Sequence, residues 1–339
     1  HKIRPGRRPT PARVHPFLVV AGRPRLLLAL GRMRERQGRW PEALATLQQA
    51  ERAALAAGSA DDLGGALQWQ AWVHFRQNRY PDAIDLCQRA LAILSQEPEG
   101  STEADRTRKL AAIHNTLAGC YVDAGNLPIG RQYALRALEA YRSLGDRERE
   151  AVVLHNMATY TLPQGLLRET IETERTSLRI LEELNSYRVC FPLVTLGQTY
   201  LLRGEWEAAR AVLERLLRLT DAHQDAPRRA FALYLLGHLQ REQGELAGAR
   251  RYYQEAWEVA EQIQDRFLLF ELHQGWAHLA LAEGDRREAR RQGQAALDRS
   301  REPPDRQLEG QALATLAMIS QASGDTPQAS LGSKRCGLS

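Results

Sequence analysis

Nine histidines and four cysteines are the side chains of this 339-residue chain best able to hold a metal or move a proton. Their spacing supports neither use. His273 and His278 stand five apart without the helix-borne H-E-x-x-H of zinc hydrolases. The dipeptides His114-Asn115 and His155-Asn156 look alike but differ in register, and His114 and His273 read as satisfied, partly buried histidines. Cys87, Cys120, Cys190 and Cys336 are too scattered for zinc-ligand pairs or a redox C-x-x-C. They read as reduced structural thiols in a reducing compartment. A phosphate-cradling loop needs a lysine directly after glycine, and none of Lys2, Lys109 and Lys334 has one. No G-x-S-x-G elbow or pair of facing acids is convincing. The chain therefore reads as a non-enzyme with no cofactor and no metal, unless a nucleophile and a base converge from distant segments.

The elements that would position any site are helices, and they recur. Gly38, Asn78, Gly125, Gly165, Gly204, Gly244, Gly284 and Gly324 follow one another at intervals of 39 or 40 residues, with one of 47. Glycine and asparagine are the residues that most readily take the left-handed conformation ending a helix. Five residues after each stands Ala43, Ala83, Gly130, Thr170, Ala209, Ala249, Ala289 or Ala329. Seven before each stands Gly31, Ala71, Ala118, Ala158, Gly197, Gly237, Ala277 or Ala317. Small residues in both columns let the two helices of a pair cross closely. Apolar residues fall at three- and four-residue spacing around them, as in Leu26, Leu27 and Leu30, and no segment alternates as a strand would. Asp146 and Asp265 are expected N-caps, and Pro227 suits a first turn. The stretch 95–108 absorbs the seven extra residues of the longest interval and reads as a solvated loop. A lone pair would leave an apolar face exposed, so neighbouring pairs must stack.

Charge separates along the chain. The formal charge is +5, yet residues 1–25 carry seven cations and no acid, which leaves the remainder at −2. The basic character belongs to a Pro-rich lead-in, residues 1–22, expected to be a linker or the edge of an upstream domain. Nucleic-acid contact is not expected of the chain except through that lead-in. Residues 23–331 form the repeated region, its eighth unit truncated, and 332–339 a tail. No apolar run is long enough for a membrane span. Because residue 1 is not methionine and the last unit is short, the chain reads as a piece of a longer protein.

Leu193-Leu196-Gly197-Tyr200-Gly204-Trp206-Ala209 and Leu27-Leu30-Gly31-Gly38-Trp40-Ala43 resemble the tetratricopeptide repeat (TPR). Leu117-Ala118-Tyr121-Gly125 and Leu233-Leu236-Gly237-Gly244-Ala249 fit the same pattern. The forty-residue period is similar to that of the sensor arrays in large bacterial signal-transducing ATPases like the maltose-regulon activator. The resemblance implies an all-α, right-handed superhelical solenoid of eight helix-turn-helix repeats, cytoplasmic, whose first helices line a concave binding face. Counted back ten and six residues from each turn, that face would carry Arg32, Gln68, Trp72, Asn115, His155, Gln198, Tyr234, His238, Gln274 and His278. Only Arg32 is charged, so the lining suits a protein partner or peptide, or a small uncharged polar effector stacked on rings. The function expected is the sensor or regulatory region of a bacterial signalling or transcription-regulating protein. The alternative is a stand-alone adaptor that scaffolds a protein complex.

Overall fold

The computed structural model describes residues 23–96, 102–302 and 305–322. The lead-in 1–22, the tail 332–339 and the second helix of the eighth repeat, with Gly324 and Ala329, lie outside them, as does Cys336. Among the described residues there are fifteen α-helices and no strand. The chain divides into two compact units. The first holds α1 (Pro24–Arg36), α2 (Trp40–Ala56), α3 (Ala60–Arg76), α4 (Tyr80–Leu94), α5 (Glu103–Asp123), α6 (Leu127–Ser143) and α7 (Arg147–Thr161). The division runs through α8 (Leu167–Glu183), whose last turn belongs to the first unit and the rest to the second. The second unit continues with α9 (Cys190–Arg203), α10 (Trp206–His223), α11 (Ala226–Glu242) and α12 (Leu246–Gln262). It ends with α13 (Arg266–Ala282), α14 (Arg286–Ser300) and α15 (Arg306–Ala322). Odd-numbered helices are the first, A, members of the predicted repeats and even-numbered helices the second, B, members.

The seven predicted turn residues that are described all have a left-handed backbone, with φ between 58° at Asn78 and 85° at Gly125. A second set of left-handed residues, in five of the connections from a B helix to the next A helix, escaped the sequence reading. It comprises Gly58, Gly145, Asn185, Gln224 and Gln264, with φ from 49° to 64°. A helix entered from such a turn needs its free N–H groups satisfied, and the A helices receive that service. Ser59, Thr102, Asp146, Asp225 and Asp265 each accept from the amide three residues on, and Pro227 lies in the first turn of α11. The cap at Thr102 corrects the expected loop 95–108. With Glu103 and Asp105 in its first turn, the segment from Glu103 is helical and extends α5 to 21 residues, while residues 102–105 stay exposed.

Packing follows the small-residue columns. Ala43, Ala83, Thr170, Ala209, Ala249 and Ala289 are fully buried, as are Ala71, Ala118, Ala158 and Ala277 in the other column. Where α1, α9 and α11 carry glycine at the crossing, the facing B-helix residue is large. A Cβ on Gly31, Gly197 or Gly237 would lie 2.5–2.6 Å from Leu47, Leu213 or Tyr253. Where the A helix carries alanine at Ala71, Ala118 or Ala277, the corresponding B-helix residue is the smaller Cys87, Ala134 or Gly293. At these crossings glycine on the A helix goes with a large B-helix residue and alanine with a smaller one, the complementarity that close packing favours. Leu67, Leu94, Ile113 and Leu117 fill the core of the first unit, and Leu213, Leu233, Leu236 and Leu272 that of the second.

Volume matching makes the crossing residues energetically coupled. Gly197→Ala should destabilise by about 1–3 kcal/mol through overpacking, despite the better helix propensity of alanine. Leu213→Ala should cost about 2–5 kcal/mol through its cavity. The double variant recreates the Ala118–Ala134 pairing and should cost at least about 1 kcal/mol less than the sum, measured by urea unfolding of all four proteins. Strict additivity would refute the matching.

Candidate functional site

The predicted A-helix residues separate into two groups, one in each unit. In the first unit the guanidinium of the exposed Arg32 lies 4.6 Å from the Trp69 ring centroid. Gln68 and His155 are half-buried. Trp72 is half-buried and its indole N–H donates to Glu35 Oε1 at 3.0 Å. Its ring packs 5.5 Å from Phe75, with the Arg76 guanidinium 5.9 Å away. Asn115 accepts from Asn156 Nδ2 at 3.1 Å, one repeat later. These side chains are in part committed to linking one A helix to the next.

The second unit brings its predicted residues closer together. Gln198 is half-buried on α9. On α11, Tyr234 and His238 are one turn apart, and their rings meet edge-on with centroids 4.7 Å apart. On α13, Gln274 and His278 repeat that four-residue spacing. Tyr234 and Gln274 are buried, 5% and 8% exposed, rather than lining open surface. The reason lies on the next A helix: the Tyr234 hydroxyl donates to Glu271 Oε2 at 2.7 Å, which draws the ring inward.

Three further members were not found by counting columns. Glu271 is one. Arg241, three residues after His238, donates through Nη2 to Glu242. Tyr253, from helix B α12, is fully buried between α11 and α13, its ring against Gly237 and Gly275. The second glycine, Gly275, was the available signal, because a Cβ there would come within 3.0 Å of the Tyr253 ring. Tyr253 also lies 6.0 Å from the His238 ring and 6.1 Å from Tyr234.

Four buried polar atoms of this cluster make no hydrogen bond within the chain: His238 Nε2, Arg241 Nη1, Tyr253 Oη and Gln274 Oε1. Buried polar atoms are nearly always satisfied by protein or by ordered water, so these donors and acceptors are left for water or a ligand to meet. Burial, with the Arg241 charge adding to it, holds the His238 ring down at about 3 and the His278 ring at about 4. Both are neutral at pH 7. Burial pushes the Tyr234 hydroxyl well above its ordinary range, with the Glu271 carboxylate adding, and burial raises Glu271 as well. Imidazoles this acidic are poor bases, so the cluster is equipped for hydrogen bonding and stacking rather than proton transfer. Elsewhere Cys87, Cys120 and Cys190 are buried, and burial pushes the Cys120 thiol up to about 12. Among the described residues no group of three or more metal-ligating side chains converges, and no helix is long and apolar enough to cross a membrane.

Comparison with known proteins agrees with this architecture. The MalT-like TPR region matches residues 157–335, just over half of the chain, and a tetratricopeptide repeat model matches residues 23–96. The chain belongs to the MalT-like TPR family, an all-α TPR solenoid of the protein-binding scaffold class. Neither matched family is a catalytic one. No curated protein matches. Among solved structures, the apo form of RapI is similar, with a TM-score of 0.63 at 12% identity over 89% of this chain and 99% of that one. A Rap protein complexed with competence and sporulation factor gives 0.60 at 15% identity, covering 89% and 76%. A signal transduction ATPase with numerous domains and a tetratricopeptide repeat sensor, from Pyrococcus horikoshii, gives 0.62 at 16% identity. The match covers 90% of this chain and 45% of that protein, so the chain spans less than half of its length.

The neutral histidines predict a pH response. Unfolding returns each ring to its ordinary value near 6.5. Below that pH the unfolded chain binds protons that the folded chain refuses. Their contribution to stability is therefore complete above pH 6.5 and is lost as pH falls towards 4. The unfolding free energy should drop by up to about 1.4 kcal/mol per pH unit per ring. Urea unfolding at pH 7.5, 6.0 and 5.0 should show this slope, and His238→Gln should reduce it. An unchanged slope in that variant would assign the acid sensitivity to other groups.

Proposed function

We propose that this chain is the sensor or regulatory region of a signalling or transcription-regulating protein, and that it binds a peptide, a protein partner or a small uncharged polar effector on the A-helix face of its second unit. The observation that carries the reading is the set of four uncommitted polar atoms at His238, Arg241, Tyr253 and Gln274. Together they offer donors and acceptors beside the Tyr234 and His238 rings, a combination suited to an amide or hydroxyl stacked on an aromatic edge. The two imidazoles are neutral, and the Arg241 cation is paired with Glu242, so the set holds no unpaired charge. Membership of the MalT-like TPR family and likeness to a TPR sensor and to Rap proteins support a regulatory role, one similar Rap protein being complexed with competence and sporulation factor. Arg32, Gln68, Trp72, Asn115 and His155 would provide a second, more exposed stretch of recognition surface in the first unit, and Gln198 would add to that of the second.

The test uses the full chain against a displayed library of random twelve-residue peptides. Selection should enrich one sequence family. His238→Ala or Gln274→Ala should then weaken the selected peptide by roughly tenfold or more, as expected for loss of a buried hydrogen-bonding contact. Melting temperature should fall by only a few degrees. A selected peptide that binds both variants as well as the parent chain would move the site off this face.

A further inference from the structure

A cleft of about 530 Å³ opens on the other side of the same unit, between α12 and α14 over the back of α13. It arises from one absent side chain. Four residues before each turn, the repeats carry Arg34, His74, Tyr121, Thr161, Tyr200 and Gln240, then Ala280 and, in the eighth repeat, Ser320. In several repeats that residue packs on its own B helix, four and eight positions beyond the turn. Arg34 Nη1 donates to Thr46, His74 faces Asp82 at 4.0 Å, and Tyr121 stacks on Tyr133 with centroids 5.7 Å apart. The corresponding residues of the seventh repeat, Glu288 and Gln292, instead line the cleft opposite Ala280.

The walls depart from the repeat at the same place. Trp257 stands thirteen residues after its turn, where the other described repeats have Leu91, Leu138, Leu178, Leu217 and Leu297 and, once, Glu51. Trp276 stands eight before the next turn, a position held elsewhere by leucine in five of seven repeats. Two of the six tryptophans thus converge on the one cleft whose filling residue is missing. Each is braced from behind: Trp257 edge-on to His273 at 4.9 Å, and Trp276 against Tyr253 at 5.8 Å. Both remain half-buried.

We propose that this cleft is a second binding site, which takes an aromatic side chain of a protein partner, seated between Trp257 and Trp276 in the space that a tyrosine fills in the third and fifth repeats. The site is distinct from the A-helix face. Its volume suits a ring with flanking peptide, and tryptophan-lined pockets are where aromatic anchors contribute most to interfaces. The rim explains the choice of a neutral ring over an ion. Arg250 lies 5.5 Å over Trp276 and pairs with Glu283. Arg291 grips Glu288 with both nitrogens, at 2.7 and 2.6 Å, and Gln292 Nε2 adds a third donor at 2.7 Å. A charged ligand would have to break these pairs, whereas an uncharged ring can stack within them.

The test labels the full chain with 5-fluorotryptophan and follows its six tryptophan resonances by ¹⁹F NMR. Trp257→Phe and Trp276→Phe assign the two signals of interest. N-acetyl-tyrosinamide should shift both saturably, at about millimolar concentration or below, and leave the Trp69 and Trp72 signals in place. Ala280→Tyr supplies from within the ring that the cleft lacks, so it should fold like its neighbouring repeats and weaken the probe at least tenfold. Absence of saturable shifts, or an unchanged response in a folded Ala280→Tyr protein, would overturn the proposal. So would stronger shifts with N-acetyl-argininamide or with adenosine monophosphate, which would mark a cation or nucleotide site.

Discussion

Two α-helices can approach at the distance of the α9–α10 or α11–α12 crossing, where the B helix carries a large residue, only if the A-helix residue facing it has no side chain. That constraint sets the repeat. Gly237 admits Tyr253, Gly197 admits Leu213, and alanine in the same place on α5 goes with Ala134. Because interiors pack near crystal density, an extra methyl group at such a point has nowhere to go. The fourth repeat is the exception: Ala158 on α7 corresponds to Glu174 on α8, a fully buried acid, and the neighbouring column carries Thr170 in place of alanine. It is also here, within α8, that the compact units divide, and 3-10 turns at Leu162–Gln164 and Tyr187–Val189 flank that helix. Where the volume rule relaxes, the chain's regularity relaxes with it.

Much of the fold was legible because its strictest positions tolerate few residue types. A left-handed residue at the A–B turn selects glycine or asparagine, and all seven described turn positions found by that rule take the conformation. Five B–A turns obey the same geometry, but glycine or asparagine marks only Gly58, Gly145 and Asn185, while Gln224 and Gln264 break the column because glutamine does not announce a left-handed backbone. The cap at Thr102 was hidden for a different reason. A polar run reads as a loop until the Thr102–Asp105 contact is seen to satisfy the first turn of α5.

The candidate site was legible by column and obscure by contact. Counting back from the turns picked Tyr234, His238, Gln274 and His278, yet it treated the A-helix face as open surface. Successive A helices touch each other there, and long polar residues join them across nearly one repeat. Trp72 reaches Glu35 and Tyr234 reaches Glu271, each over a separation of 37 residues. Glu271, Arg241 and Tyr253 could not be read from the columns because they come from outside them, one from the following A helix, one off the counted positions and one from a B helix. Periodicity reports which side of a helix a residue occupies; it does not report how much of that side a neighbour covers.

A repeat protein supplies its own comparison for every position, which gives departures from the repeat a meaning they lack in other folds. A residue that matches its column is explained by stacking, and Leu213 or Ala249 needs no further reason. Ala280, Trp257 and Trp276 break their columns together in one cleft, and the repeats beside them show that stacking does not require it. The polar cluster reads in the same way. The position of His238 is Arg32, Trp72, Gly119, Thr159 and Gln198 in the repeats before it, so solenoid packing leaves that residue free to vary. Stacking also does not require four buried polar atoms to lack partners within the chain, since each such atom subtracts from stability. Regular columns hold the helices in place, and their exceptions are the residues on which both proposed sites of the second unit rest.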